Sequence, residues 1–207
     1  MPEQKTSSLY QQQKAIKPLV ENVIPDFLEG DTAELALDFA THLRANKIKL
    51  SWVLANQWRA VYKGRAICRV TIYQRHMLTD AKYQASTCKK YKWIVTAYLE
   101  NLEKYEKTAI NEKLQRFLWE NVYYCVQKPK ESPPAEPFRN YALSWPCNLW
   151  GCAPGKSMTV CGKELTHICC NGNRQYFWFH DPDKATVAAL KRFLELEQKA
   201  RIEKAAP

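Results

Sequence analysis

Apolar residues recur along this chain with two different periods, and the switch between the periods divides it. Leu35, Phe39 and Leu43, with Ala36 and Ala40 beside them, fall every three or four positions, the spacing of one helix face. Asp31 and Glu34 stand three apart just ahead of that face, so a capping box is expected to open a helix that runs to about Asn46. Spacing by two follows. Trp58, Ala60 and Tyr62 alternate with Arg59, Val61 and Lys63. Beyond a turn at Lys63-Gly64, Ala66, Cys68, Val70 and Ile72 alternate with Ile67, Arg69 and Thr71. That pattern predicts a hairpin of two half-buried strands.

Trp93 to Tyr98 reads as a further strand. Ile110, Leu114, Phe117, Leu118, Val122 and Cys125 then return to helical spacing, which predicts a helix over 108–127. Residues 175–180 read as a strand. Asp181-Pro182 is expected to cap a last helix over 182–203, with Pro182 at its first position and Val187, Leu190, Phe193 and Leu194 buried. Upstream, residues 1–19 are polar and Gln-rich and predict a flexible tail. Val20, Val23, Ile24, Phe27 and Leu28 predict a short helical turn interrupted near Pro25. The Pro-rich stretch 128–137 reads as a linker between a core over 20–127 and a segment over 138–207 that returns to complete the same domain. The expected fold is α+β, a mainly antiparallel sheet packed by about three helices, with a cysteine-rich loop segment.

Length and composition agree with this organisation. A chain of 207 residues with 46% hydrophobic and 25% charged residues suits one globular domain. The stretch from Met1 to Ser8 lacks the apolar run of a signal peptide, and no apolar run approaches the roughly 20 residues that span a bilayer. A cytoplasmic protein with reduced thiols and no membrane partner is expected.

Charge changes the picture more. Residues 51–92 hold nine basic residues against the single acid Asp80, so this window carries +8 of the net +10. If Trp58, Tyr62, Cys68 and Val70 face the core, then Arg59, Lys63, Arg65 and Arg69 share the opposite face. Trp52, Tyr73, Tyr83, Tyr91 and Trp93 lie nearby in sequence. Cations for phosphates and rings for bases are what hold single-stranded nucleic acid, and a smaller pocket of this kind suits an acidic metabolite. The plainer alternative is the solvated outer face of a half-buried sheet.

Five of the eight cysteines fall between Cys147 and Cys170, among Pro154, Gly155 and Gly162. Zinc takes four soft or borderline ligands on tight turns. Cys147 and Cys152 form one candidate pair; Cys169 with Cys161, Cys170 or His167 would supply the other. Packed, unmetallated thiols are the alternative, and disulfide or redox chemistry a further one. Trp145 and Trp150 bracket Cys147 and are expected to fold back over it.

Three motifs together carry a resemblance. They are Gly30-Asp31 with Ala36-Leu37-Asp38-Phe39 and Leu43-Arg44-Ala45-Asn46; Tyr62-Lys63-Gly64 with Cys68; and Cys147, Cys152-Ala-Pro154-Gly155, Gly162-Lys163-Glu164, Cys169 and Asp181-Pro182-Asp183. Over most of residues 28–197 the chain resembles an uncharacterised family of small bacterial cytoplasmic proteins. The resemblance implies a bacterial, cytoplasmic setting and recurrent cysteines at 147, 152 and 169, with a large apolar residue where Cys161 stands. It implies no activity or cofactor.

No catalytic residues are assigned. The chain has no nucleophile elbow, phosphate-cradling loop, dinucleotide fingerprint or zinc-protease helix motif. A Cys–His nucleophile pair, such as Cys169 with His180, is left open. The expected function is that of a non-enzymatic binding or accessory protein, with zinc as the possible cofactor. The alternatives are a nucleic-acid-binding module built on the 59–69 hairpin and a thiol-dependent enzyme.

Overall fold

The computed structural model describes residues 8–72, 91–122, 156–168 and 176–203. The fold is α+β. Three helices lead, α1 (Leu9–Ile16), α2 (Val20–Phe27) and α3 (Gly30–Ala45). They are followed by strands β1 (Lys49–Leu54), β2 (Gln57–Tyr62), β3 (Arg65–Ile72) and β4 (Trp93–Tyr98). Helices α4 (Leu102–Asn111) and α5 (Gln115–Glu120) come next. A small hairpin of β5 (Lys156–Val160) and β6 (Lys163–Ile168), strand β7 (Tyr176–His180) and helix α6 (Lys184–Glu203) complete the described residues. The main sheet has the order β1-β2-β3-β4-β7 and is antiparallel throughout.

Alternation assigns the two faces of this sheet. Trp58, Ala60, Cys68, Val70, Ile72, Trp93, Val95, Ala97, Phe177 and Phe179 are buried on the inner face. They form one cluster with Phe39 and Leu43 of α3, Leu102 and Tyr105 of α4, and Leu190, Phe193 and Leu194 of α6. Full burial of a side chain such as Phe193 contributes about 1.5–3 kcal/mol. The outer face carries the row Ser51, Arg59, Arg69, Thr96 and Trp178, each directly opposite the next.

Several local expectations are corrected. The tail expected over 1–19 contains α1, which is opened by Ser8. Its hydroxyl accepts from Gln11 N and its own N–H donates to the Gln11 side chain, a capping box that Ser and Gln build as readily as Ser and Glu. Gln13 of α1 is buried against Asn56, whose backbone N–H donates to Gln13 Oε1 at 2.8 Å. Helix α2 runs through Pro25 to Phe27. No side chain caps α3; Asp31 lies within its first turn and Glu29 is the N-cap residue.

The single helix expected over 108–127 is two helices. Lys113 takes φ 58° between them, a conformation no α-helix contains. Asp181 caps a strand rather than the last helix. Its carboxylate accepts from Lys92 N at 2.7 Å and Trp93 N at 2.9 Å, while Asp183 accepts from Thr186 N and opens α6. The linker over 128–137 lies outside the described residues.

Candidate anion site

The site begins with a bulge. Ala60 pairs with Cys68 but Val61 pairs with Ala66, which leaves Ile67 as an extra residue in β3. Two adjacent residues of a bulged strand can face the same side. Ile67, expected beside Arg69, is accordingly fully buried with Cys68 in the core. Beyond the bulge the outer face carries small residues at its end, Ala66 and then Gly64. The turn joining β2 and β3 places Lys63 at φ 46° and Gly64 at φ 77°, the double positive φ of a two-residue hairpin loop.

Small residues at the end and long ones around them make a concavity of about 490 Å³. It is lined by Arg59, Val61, Gly64, Arg65, Ala66, Arg69, Tyr98 and Glu100. Three of the four cations expected to act together therefore do meet. Lys63 does not join them; its ammonium lies 6.0 Å from the Tyr62 ring. Arg65 Nη1 stands 3.8 Å from Glu100 Oε2. Arg59 and Arg69 are directly opposite across β2 and β3, and neither forms an ion pair with any described residue. Arg69 Nε is buried and has no hydrogen-bond partner.

The rings expected to flank these cations are placed elsewhere. Trp93 is 1% exposed in the core. Trp52 packs on Tyr10 and donates its indole N–H to Gln13 Oε1 at 3.1 Å. Tyr91 stacks on His180 at 4.0 Å between ring centroids, at the β7 end of the sheet. Tyr73 and Tyr83 lie outside the described residues, as do Arg75, Lys82, Lys89 and Lys90.

Of the expected zinc ligands, Cys147, Cys152 and Cys169 lie outside the described residues, as does Cys170. Cys161 is described and buried among apolar neighbours in the turn between β5 and β6. Burial, and then the Glu106 carboxylate, pushes its thiol up to about 11. Among the described residues no three His, Cys, Asp or Glu side chains stand close enough to hold a metal ion. Burial also pushes the Cys68 thiol far above its ordinary range, so neither described thiol is a ready nucleophile at neutral pH. His180, the candidate partner of Cys169, is held neutral by burial with its pKa lowered to about 4.

A polar cluster that sequence reasoning missed lies under the same end of the sheet. Glu197 is fully buried and accepts from Asn101 N, Asn101 Nδ2, Tyr105 Oη and Arg201 Nε at 2.8–3.1 Å. Arg201 also donates to Ala66 O at 3.2 Å and Tyr98 O at 3.3 Å. The signal was present in the chain. Glu197 and Arg201 continue the stripe Leu190, Leu194 at helical spacing, so two opposite charges four residues apart sit on a buried face.

No family model matches the chain, and no curated protein or solved structure matches it either. Among the described residues no helix is long and apolar enough to cross a membrane.

Proposed function

We propose that this chain is a non-enzymatic binding protein of the bacterial cytoplasm that holds an anionic ligand against Arg59, Arg65 and Arg69. One observation carries the reading: two guanidiniums stand opposite each other in a concavity, unpaired within the described chain, one with a buried N–H that nothing accepts. Like charges opposite one another weaken a strand pair, and a buried donor without an acceptor costs about 1–3 kcal/mol. An anion entering from solvent between them relieves the repulsion. A guanidinium stays charged at any working pH, so it cannot relieve that repulsion by releasing a proton.

Inorganic phosphate is the simplest probe. Titrated at low ionic strength, it should raise Tm and shift the amide resonances of the 59–69 hairpin, with both effects lost in the Arg59→Gln/Arg69→Gln double variant. An equal rise in Tm in that variant would sink the reading. Zinc on Cys147, Cys152 and Cys169 is a separate proposal for the thiol segment. Its support is the cysteine spacing, and its test is elemental analysis of protein purified without a His tag, where less than one zinc per two chains counts against it.

A further inference from the structure

The Arg59/Arg69 concavity also limits what kind of anion fits, and this step rests on the binding reading above. A nucleic-acid strand needs a continuous open track with rings beside the cations. Among the described residues the outer face offers a basic end and an aromatic end without such a track. Trp178 shares a cross-strand row with Arg59 and Arg69, but Thr96 between them is 8% exposed and Ile94 in the neighbouring row is 2% exposed. Among the described residues the one ring in the concavity, Tyr98, is 5% exposed and presents no face for a base to stack on. The volume, about 490 Å³, falls within the range of small-molecule sites, roughly 300–1,000 Å³.

Charge narrows the class further. Among the described residues of the lining, three guanidiniums against the carboxylate of Glu100 leave a charge of +2. A carboxylate or a phosphodiester, each with one negative charge, would leave half of that unbalanced. A phosphomonoester above its second ionisation, near pH 6, matches it. Planar guanidinium forks on opposite strands suit a tetrahedral group with three acceptor oxygens. We infer that the ligand is a small phosphomonoester, its phosphate gripped between Arg59 and Arg69 and its organic part lying over Ala66 and Gly64.

The test compares phenyl phosphate with its methyl diester by calorimetry on the full chain, with a twelve-residue oligothymidylate as a third ligand. The charged groups facing the phosphate are Arg59 of β2, Arg65 and Arg69 of β3, and Glu100 after β4. They face both small ligands in the same state, so the ratio reports how they treat the second charge that the monoester alone carries. The monoester should bind about tenfold more tightly at neutral pH, and this advantage should fade below about pH 6, where the monoester takes up its proton. Arg69→Gln should abolish the preference. Ala66→Leu should weaken phenyl phosphate more than inorganic phosphate. Equal binding of monoester and diester, both lost in the arginine variants, would overturn the phosphomonoester while leaving the anion face intact. Tighter, arginine-dependent binding of the oligonucleotide would overturn it in favour of a nucleic acid. Binding of no anion, or binding indifferent to the arginines, would remove both readings.

Discussion

Two arginines near the same end of the sheet are treated in opposite ways. Arg201 is buried beneath it and fully engaged, with the Glu197 carboxylate on Nε and the carbonyls of Ala66 and Tyr98 on Nη2. Arg69 lies on the outer face with its Nε equally shut off from water and nothing accepting from it. A buried charge is costly unless its hydrogen bonds are made, so the first arrangement is explained by the fold alone. The second is not. Arg201 ties the last helix to the sheet; Arg69 and its neighbour Arg59 hold donor capacity in reserve for something from outside.

The sharpest way to break this comparison is to cut the satisfied network. Glu197→Ala would leave Arg201 charged and buried without its counter-ion and strip acceptors from Asn101 and Tyr105. Removing one partner of such a pair costs about 3–5 kcal/mol, to be read as a lowered urea midpoint. Glu197→Gln keeps the shape and part of the hydrogen bonding and should recover some of the loss. A cost in Glu197→Ala no larger than that of a surface substitution would mean that the cluster is wet and that the contrast with Arg69 is false.

Much of this was legible in the chain, and what was missed has physical causes. The period-two alternation from Trp58 to Ile72 specified the hairpin and which face carries Arg59 and Arg69, because a half-buried strand cannot hide its pattern. The helix face at Phe39 and Leu43 was equally open to reading. Strand β1 was missed because three consecutive residues of Lys49 to Leu54, Ser51 to Val53, carry intermediate burial and so do not alternate. The break at Lys113 escaped because Ile110, Leu114 and Phe117 keep a helical spacing across it. The site itself was half legible. Its cations could be listed, but the bulge at Ile67 and the approach of Glu100 from the end of β4 depend on pairing between strands, which no local pattern records. The rings were misassigned for the same reason: nearness in sequence to Arg59 and Arg69 said nothing about the face that Trp52 and Trp93 would take.

His180 sharpens the comparison from another side. Its Nδ1 is also buried without a hydrogen-bond partner, yet a histidine can respond by losing its charge, and burial lowers its pKa to about 4. The unfolded chain takes up that proton near pH 6.5. Between these values the unfolded state binds more protons, so stability is retained above about pH 6.5 and declines as pH falls toward 4. The loss is on the order of 2–3 kcal/mol by linkage. In His180→Phe, which keeps a ring against Tyr91, this part of the decline should disappear from urea midpoints measured across that range. A variant whose midpoints decline as steeply as the parent's would show that some other group titrates there.

The smallest expected effect is the most direct probe of Arg69, because it asks whether the cation pair burdens the empty fold. Arg59 is exposed, so replacing it removes little packing, and Thr suits a strand. If Arg59 and Arg69 repel each other across β2 and β3, Arg59→Thr should stabilise the ligand-free protein by about 0.2–1 kcal/mol. The gain should be largest in low salt and shrink in high salt, where mobile ions already screen the pair. The same substitution should weaken phosphate binding. Stability and binding then move in opposite directions, which is the mark of a residue kept for a ligand. At Glu197, by contrast, the fold alone has reason to lose. Should Arg59→Thr destabilise the protein at low salt, the two guanidiniums would have to be compensated from within the chain, and Arg69 would join Arg201 as part of the fold.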